Sequence, residues 1–272
     1  MKKFYCLLIV LAAVLSSCRI PDSPTDSDLS IVTANLLFSN TSSASEITGE
    51  LLMLDADVYV LHEADLSVNI DEELFIAAGY SVHSFNESLH TAFNSVMASR
   101  LPATFEYINL EYSYGFDPVY IKPFYAARVF INSVPVSIIG AHIPPAIMMP
   151  DELKALRLKA FTEISSMVED GKLIETDTGT ELKTDDYVII AGDLNTFPSD
   201  ELLSAFLKSG LNDSILSGNN KYDFTWSPGG LFPFLARIDY IFHSKHLSAA
   251  SHSSHLITGS DHKAVQAGFS IR

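Results

Sequence analysis

Six separated apolar runs in this 272-residue chain end beside side chains that can carry or move charge. Ser30 to Ala34 leads to Asn35, Asp57 to Leu61 leads to His62 and Glu63, and Val134 to Ala141 leads to His142. Tyr187 to Gly192 leads to Asp193, with Asn195 two residues on; Asp239 sits at the start of the run ending at His243, and Asp261-His262 precedes Lys263 to Ile271. A strand that carries a carboxylate to the edge of a core must also supply it with a partner, because an unpaired buried charge is costly. Six such deliveries predict convergence on one site. Carboxylates grouped with amide oxygens suit a hard cation that prefers oxygen ligands and keeps some of its water, Mg²⁺ first, with Mn²⁺ or Ca²⁺ as substitutes. Each feature is weak alone: Asp193-Leu194-Asn195 has the form of an ordinary turn, and a lone His142 that of a satisfied core histidine. Their joint occurrence is what points to chemistry.

The intervening sequence supplies elements to position these groups. Ser30 to Asn35, Asp57 to His62, Tyr80 to Phe85, Phe93 to Ser99 and Ala103 to Leu110 read as strands, with helices over Ser43 to Leu54 and Asp71 to Ala78. Tyr125 to Asn132 and Val134 to His142 form a hairpin around Asn132-Ser133. Pro150-Asp151-Glu152 opens the longest helix, which runs to Val168 with Leu153, Leu156, Ala160, Ile164 and Met167 on one face. Asp170 to Asp186 reads as an exposed polar loop, and Tyr187 to Gly192, Ile238 to His243 and Lys263 to Ile271 as further strands. There are no internal repeats and no strict βαβ rhythm. The pattern predicts one α/β domain built on a mixed sheet or on two sheets face to face.

With 47% hydrophobic and 18% charged residues, the chain can bury a core. Its 33 acidic and 17 basic residues give a net charge of −16, which argues against a duplex-DNA binder that works by charge neutralisation. The two cysteines, Cys6 and Cys18, both lie at the N-terminus, so no disulfide framework holds the rest. Met1-Lys2-Lys3 and the apolar run Phe4 to Leu15 have the form of an export signal. Leu15-Ser16-Ser17-Cys18 resembles the bacterial lipobox, in which cleavage precedes a cysteine that carries diacylglycerol. This predicts a signal peptide over residues 1–17, a lipid anchor at Cys18, a flexible tether over 18–28 and a domain over 29–272. The expected location is a membrane surface outside the cytoplasm, periplasmic or on the cell surface. Loss of Lys2 and Lys3 would take the charge from −16 to −18.

Gly192-Asp193-Leu194-Asn195-Thr196, Arg237-Ile238-Asp239-Tyr240-Ile241-Phe242 and Ser260-Asp261-His262 resemble three signatures of the endonuclease/exonuclease/phosphatase superfamily. That superfamily includes pancreatic-type deoxyribonucleases, apurinic endonucleases and bacterial sphingomyelinases. The asparagine, glutamate and histidine strands precede these signatures in the family's order, and Asn94-Ser95-Val96-Met97-Ala98-Ser99-Arg100 is similar to its strand ending in Ser-Arg. The resemblance spans Leu29 to Ile271. It implies a four-layer α/β/β/α sandwich of two mixed, mainly antiparallel sheets, and a monomer that hydrolyses a phosphodiester. By resemblance Glu63 and Asp261 bind the metal with Asn35 as ligand or water holder, and His262 is the general base oriented by Asp239. Asp193 positions water or protonates the leaving oxygen, while Asn195 and His142 bond phosphate oxygens.

The chain also departs from the family. His62 stands where glutamine is usual, Leu37 where many members carry an acid, and the strand Ala92 to Ser99 has no tyrosine or glutamate. These losses weaken a nuclease reading more than a hydrolase reading. His243, His246, His252 and His255 lie in a Ser-rich stretch without the paired spacing of a zinc site and read as solvent-facing. Phe224 and Trp226 read as packing residues or substrate contacts, and Pro144 to Pro150 as an apolar loop, buried or facing a lipid. Candidate substrates are nucleic acid, nucleotides and phospholipid headgroups, with small ones easier to reconcile with the acidity. A second reading is a catalytically reduced surface lipoprotein that uses the fold as a binding module.

Overall fold

The computed structural model describes residues 27–85, 94–108, 112–114, 119–121, 124–145, 151–169, 173–175, 181–183, 187–215, 223–230 and 233–271. The signal peptide, most of the tether, Phe93 and residues 146–150 lie outside the described residues. The strands, in chain order, are β1 (Leu29–Asn35), β2 (Val58–His62), β3 (Ser81–Phe85), β4 (Ser95–Ser99), β5 (Ala103–Tyr107), β6 (Tyr112–Tyr114), β7 (Val119–Ile121) and β8 (Phe124–Ile131). They continue as β9 (Val134–His142), β10 (Leu173–Glu175), β11 (Glu181–Lys183), β12 (Val188–Asp193), β13 (Asn212–Asp213), β14 (Asp239–His243), β15 (Leu247–Leu256) and β16 (Lys263–Ile271). The helices are α1 (Ala44–Leu52), α2 (Glu72–Ala77), α3 (Asp151–Glu169) and α4 (Glu201–Lys208).

Two six-stranded sheets form, in the orders β15-β16-β1-β2-β4-β3 and β13-β14-β12-β9-β8-β5. Each has one parallel pair, β1 with β2 and β9 with β12, and is otherwise antiparallel. Side-chain alternation divides the core into layers. Ile31, Val58, Val60 and Val265 from the first sheet meet Ile138, Ile189, Ala191 and Ile241 from the second. The opposite faces pack under helices: Val32, Tyr59 and Leu61 against Ile47, Leu51 and Phe75, and Ile139, Ile190 and Phe242 against Phe161, Ile164 and Phe206. The result is the four-layer α/β/β/α sandwich. Strands buried on both faces read as unbroken apolar runs, which is why they stand out in the sequence.

Local chemistry fixes the ends of the elements. Ser43 Oγ accepts from Glu46 N and Asp71 Oδ1 from Leu74 N, capping α1 and α2. Asn132 (φ 49°) and Ser133 (φ 69°) both adopt the left-handed conformation that a two-residue hairpin turn requires between β8 and β9.

Two expectations need correction, and one helix carried no expectation. The Ser-rich stretch from 247 to 256 is strand β15, paired antiparallel with β16. His252 is consequently buried, with its side chain 4% exposed, and His243 is buried against Phe269. The segment 170–186 contains a short antiparallel pair, β10 with β11. Helix α4 was not anticipated at all; Asp200 caps it by accepting from Leu202 N, and Leu203 and Phe206 bury its inner face.

Candidate active site

Sheet register brings the polar strand ends level. Asp193 on β12 lies opposite His142 on β9 and Asp239 on β14, so these three occupy one row across the second sheet. On the first sheet Asn35 pairs with His62, and Glu63 follows directly. His262 stands immediately before β16, the other neighbour of β1. Asn35, His62, Glu63, His142, Asp193, Asp239 and His262 therefore gather at one end of the sandwich.

Asn35 joins the two sheets. Its amide nitrogen donates to Glu63 Oε1 at 2.9 Å and to Asp193 Oδ2 at 3.1 Å, while its oxygen accepts from Leu37 N. It therefore faces the carboxylates as a donor that spaces them. The second oxygen of Glu63 accepts from Phe38 N at 2.9 Å. Asn195 donates both to Ile143 O and to Asp193 Oδ2, so in this arrangement it braces Asp193. His262 Nδ1 lies 3.0 Å from Asp239 Oδ2, and its Nε2 faces Asp193 Oδ2 at 3.8 Å and Asp261 Oδ1 at 3.9 Å. His142 Nε2 stands 3.9 Å from both Glu63 and Asp193. The separated strand ends thus share one connected arrangement.

The supporting contacts come from residues whose part was not legible beforehand. The Trp226 indole donates to Asp261 Oδ2 at 3.2 Å, and Thr225 Oγ1 accepts from the amides of Ile238 and Asp239. Ser260 Oγ donates to Asn35 O and accepts from His262 N, tying the first strand to the histidine loop. Arg157, buried on α3, donates to Pro144 O, Asn195 O and Thr196 Oγ1, clamping the loops that follow β9 and β12. An arginine on an otherwise apolar helical face was the one available signal for this clamp. His62, at the glutamine position, is fully buried, with Nδ1 2.9 Å from Tyr125 Oη and Nε2 3.3 Å from Thr33 Oγ1. Gly192 permits that packing, because a Cβ there would meet Ala141 O at 1.9 Å and His62 Nε2 at 2.7 Å.

Backbone strain is concentrated here. Leu37 (φ 59°), Glu63 (φ 51°) and Asn195 (φ 48°) all sit in the left-handed region just past the ends of β1, β2 and β12. Non-glycine residues hold that conformation only where the surroundings over-determine it. In this case the hydrogen bonds from Leu37 N, Phe38 N and Asn195 N to Asn35, Glu63 and Asp193 do so.

Burial sets the proton affinities. It raises Asp193 to about 7, with the Asp239 charge adding to the effect. Burial alone would lower His262, but Asp239 and Asp193 override it and push the imidazole up to about 10. Burial lowers His142 against the opposing pull of Glu63. His62 falls well below the ordinary histidine range, first through burial and then through His142 and His262.

A divalent cation fits the open side of this cluster. Asp261 Oδ1 is buried and has no hydrogen-bond partner among the described residues, although its other oxygen is held by Trp226. That orphaned carboxylate oxygen lies 3.9 Å from His262 Nε2 and calls for positive charge. Asp193, Asp239 and His262 also lie close enough to share an ion, their ligand atoms all within 4.8 Å. However, Asp239 is already engaged by His262 Nδ1 and Thr225 holds its backbone, so this inner group is better suited to moving protons.

Residues 32–262 match the model of the Endonuclease/Exonuclease/phosphatase family. No curated protein matches the sequence. Among solved structures, the human Nocturnin catalytic domain with bound sulfate is similar over 90% of this chain and 94% of its own, with a TM-score of 0.64 and 17% identity. The AP endonuclease LMAP of Leishmania major is similar over 90% and 88%, with a TM-score of 0.65 and 13% identity. A Staphylococcus aureus beta toxin variant with bound magnesium ions is similar over 89% and 99%, with a TM-score of 0.60 and 18% identity. The chain belongs to the Endonuclease/Exonuclease/phosphatase family, whose members are hydrolases of phosphoric esters.

Proposed function

We propose that this protein is a divalent-metal-dependent phosphodiesterase whose nucleophile is a water activated by the His262–Asp239 pair. The observation that carries this reading is the 3.0 Å contact from Asp239 to His262 Nδ1, which leaves Nε2 facing Asp193 and Asp261. Asp239 fixes the tautomer and, with Asp193, keeps Nε2 protonated up to about 10, so Nε2 can accept the proton of the attacking water once a bound cation offsets those carboxylates. Asp193, raised to about 7, holds a proton near neutrality and is placed to pass it to the leaving oxygen. His142 Nε2 points between Glu63 and Asp193, where it can donate to a non-bridging phosphate oxygen. Glu63 and Asp261 would hold Mg²⁺, with Asn35 holding Glu63 apart from Asp193. Once bound, that ion supplies Lewis-acid polarisation of the phosphoryl oxygens. A binding module has no need of a base paired to a carboxylate beside metal ligands, which disfavours the non-catalytic reading.

The test is hydrolysis of bis-p-nitrophenyl phosphate by the purified domain with Mg²⁺ and after EDTA. Turnover that needs the metal and is lost in His262→Ala supports the proposal. Metal-independent or unaffected turnover refutes it.

We also propose that the protein is exported and held to a membrane by acyl chains on Cys18. Asp28 N donates to Phe269 O, and Asp28 Oδ2 accepts from Ile271 N. These bonds tie Asp28 to β16 and support a domain that starts near Leu29. Labelling with radioactive palmitate should be lost in Cys18→Ser, and labelling retained in that variant would refute the anchor.

A further inference from the structure

We infer that His62 and Tyr125 form a buried platform beneath the site, and that His62 acts through it as a positioning residue for Glu63 and His142. This rests on the phosphodiesterase reading and deepens it, because it gives a task to the imidazole that stands at the glutamine position. His62 belongs to β2 of the first sheet, yet its ring reaches across to the second. Nδ1 lies 2.9 Å from Tyr125 Oη on β8, and the centroid of the His142 ring on β9 is 5.5 Å from its own. His62 is wholly buried, and Tyr125 is 2% exposed.

The second sheet is hollowed to admit these rings. Gly140 on β9 and Gly192 on β12 lie one step apart in register on neighbouring strands. A Cβ at Gly140 would overlap the Tyr125 ring, and one at Gly192 would meet His62 Nε2 at 2.7 Å. The next pair along these strands is His142 opposite Asp193. Room for the platform is therefore made directly behind the row of site residues.

Hydrogen-bond direction follows from the hydroxyls. Thr33 Oγ1 donates its single hydrogen to Val60 O at 3.0 Å, so towards His62 Nε2, 3.3 Å away, it can only accept. The imidazole proton thus sits on Nε2. That leaves Nδ1 to accept from Tyr125 Oη, which is nearer to it than to Leu61 O at 3.3 Å. Both nitrogens are used, and the ring cannot turn without breaking both contacts. The backbone of His62 runs straight into Glu63, held at φ 51°, and its carbonyl accepts from Leu36 N at 3.0 Å. Other ties on Glu63 come from its own side of the sandwich: Asn35 and Phe38 hold the carboxylate, and Asn69 Nδ2 donates to the carbonyl. His62 adds the link to the opposite sheet, where His142 Nε2 stands 3.9 Å from Glu63 Oε1. An apolar side chain of similar size would fill the volume but leave Tyr125 Oη without that acceptor.

The test measures Mn²⁺ binding without substrate by electron paramagnetic resonance, beside hydrolysis of bis-p-nitrophenyl phosphate, in the parent, His62→Leu, His62→Gln and Tyr125→Phe. The Mn²⁺ dissociation constant should rise by about tenfold in His62→Leu and in the same direction in Tyr125→Phe, the size expected when a ligand loses its outer support. His62→Gln should recover most of that loss, because an amide again offers a donor and an acceptor. Histidine ¹⁵N shifts of the parent should place the His62 proton on Nε2, and a proton on Nδ1 overturns the pairing. A role in stability alone would lower Tm in His62→Leu and leave the metal affinity unchanged, which overturns the inference. A glutamine variant as weak as the leucine one also overturns it. Should His62→Leu not fold, Tyr125→Phe decides, since its ring still fills the space beside Gly140, and parental Mn²⁺ affinity there overturns the platform. A parent that gives this ranking of Mn²⁺ affinities but is inert on the diester supports the platform while overturning the hydrolase reading. A parent that binds no Mn²⁺ overturns both.

Discussion

Among the described residues, His262 with Asp239 and His252 with Asp223 each join a buried imidazole to a carboxylate, yet their surroundings differ. His262 and Asp239 lie 3.0 Å apart, and His252 and Asp223 lie 3.7 Å apart, with imidazoles 7% and 4% exposed. Around His252 every charge is answered: Ser214 Oγ meets its Nδ1 at 3.0 Å, and Ser254 and Lys263 share Asp223. Asp223 is held below the ordinary carboxylate range because these partners outweigh its burial. The cluster links β13 of one sheet to β15 of the other and acts as a clasp between them. Around His262 the account is left open. Its Nε2 faces two further carboxylates, one of them with an orphaned oxygen, and Asp193 is driven up to about 7. A histidine–acid pair whose neighbours are satisfied is a structural tie, whereas one facing an excess of charge of one sign is the better candidate for chemistry.

The contrast can be broken most sharply at Asp239. Asp239→Asn should lower kcat by about three to four orders of magnitude, the cost of losing the partner that fixes a catalytic imidazole. Turnover within tenfold of the parent would place His262 in the same class as His252. Next in size, Glu63→Gln should raise the Mg²⁺ concentration for half-maximal activity by about 10–100-fold, read from a metal titration. An unshifted curve would remove Glu63 from the ligand set.

A third expectation concerns pH. His262 keeps its proton to about 10 in the folded protein, above its unfolded value near 6.5, so its contribution to stability is complete below about 6.5 and is lost as pH rises through about 10. Thermal melts of the metal-free protein should show Tm falling between pH 7 and 10, and Asp239→Asn should flatten that fall. An equal slope in both proteins would contradict the assigned pairing. The smallest effect belongs to the other pair: His252→Ala should cost about 1–3 kcal/mol of stability, measured by denaturant unfolding, and leave kcat within about twofold. A large loss of turnover would mean that the clasp is part of the site.

The sequence was most legible where one local rule governs. Ser43 and Asp71 announce helix starts, Asn132-Ser133 announces a turn, and strands buried on both faces are plain apolar runs. The candidate site residues stood out because each flanks such a run. Strand β15 did not, because its Ser, Ala and His residues carry no alternation and its pairing comes from β16, a partner identifiable only in three dimensions. Helix α4 is only two turns long, and its Leu203 and Phe206 gain their meaning from the Phe161 and Phe242 rings they pack against. The parts played by Arg157, Thr225 and Trp226 depend on contacts across 13 to 39 residues of chain, which spacing alone cannot reveal.

The most direct measurement is anomalous diffraction from crystals of the protein soaked in Mn²⁺. One peak within ligating distance of both Glu63 and Asp261, on the side of His262 Nε2, is the predicted result. Density between Asp193 and Asp239 instead, or none at saturating metal, would contradict the assignment of the ion to the outer carboxylates and of the proton to the inner ones.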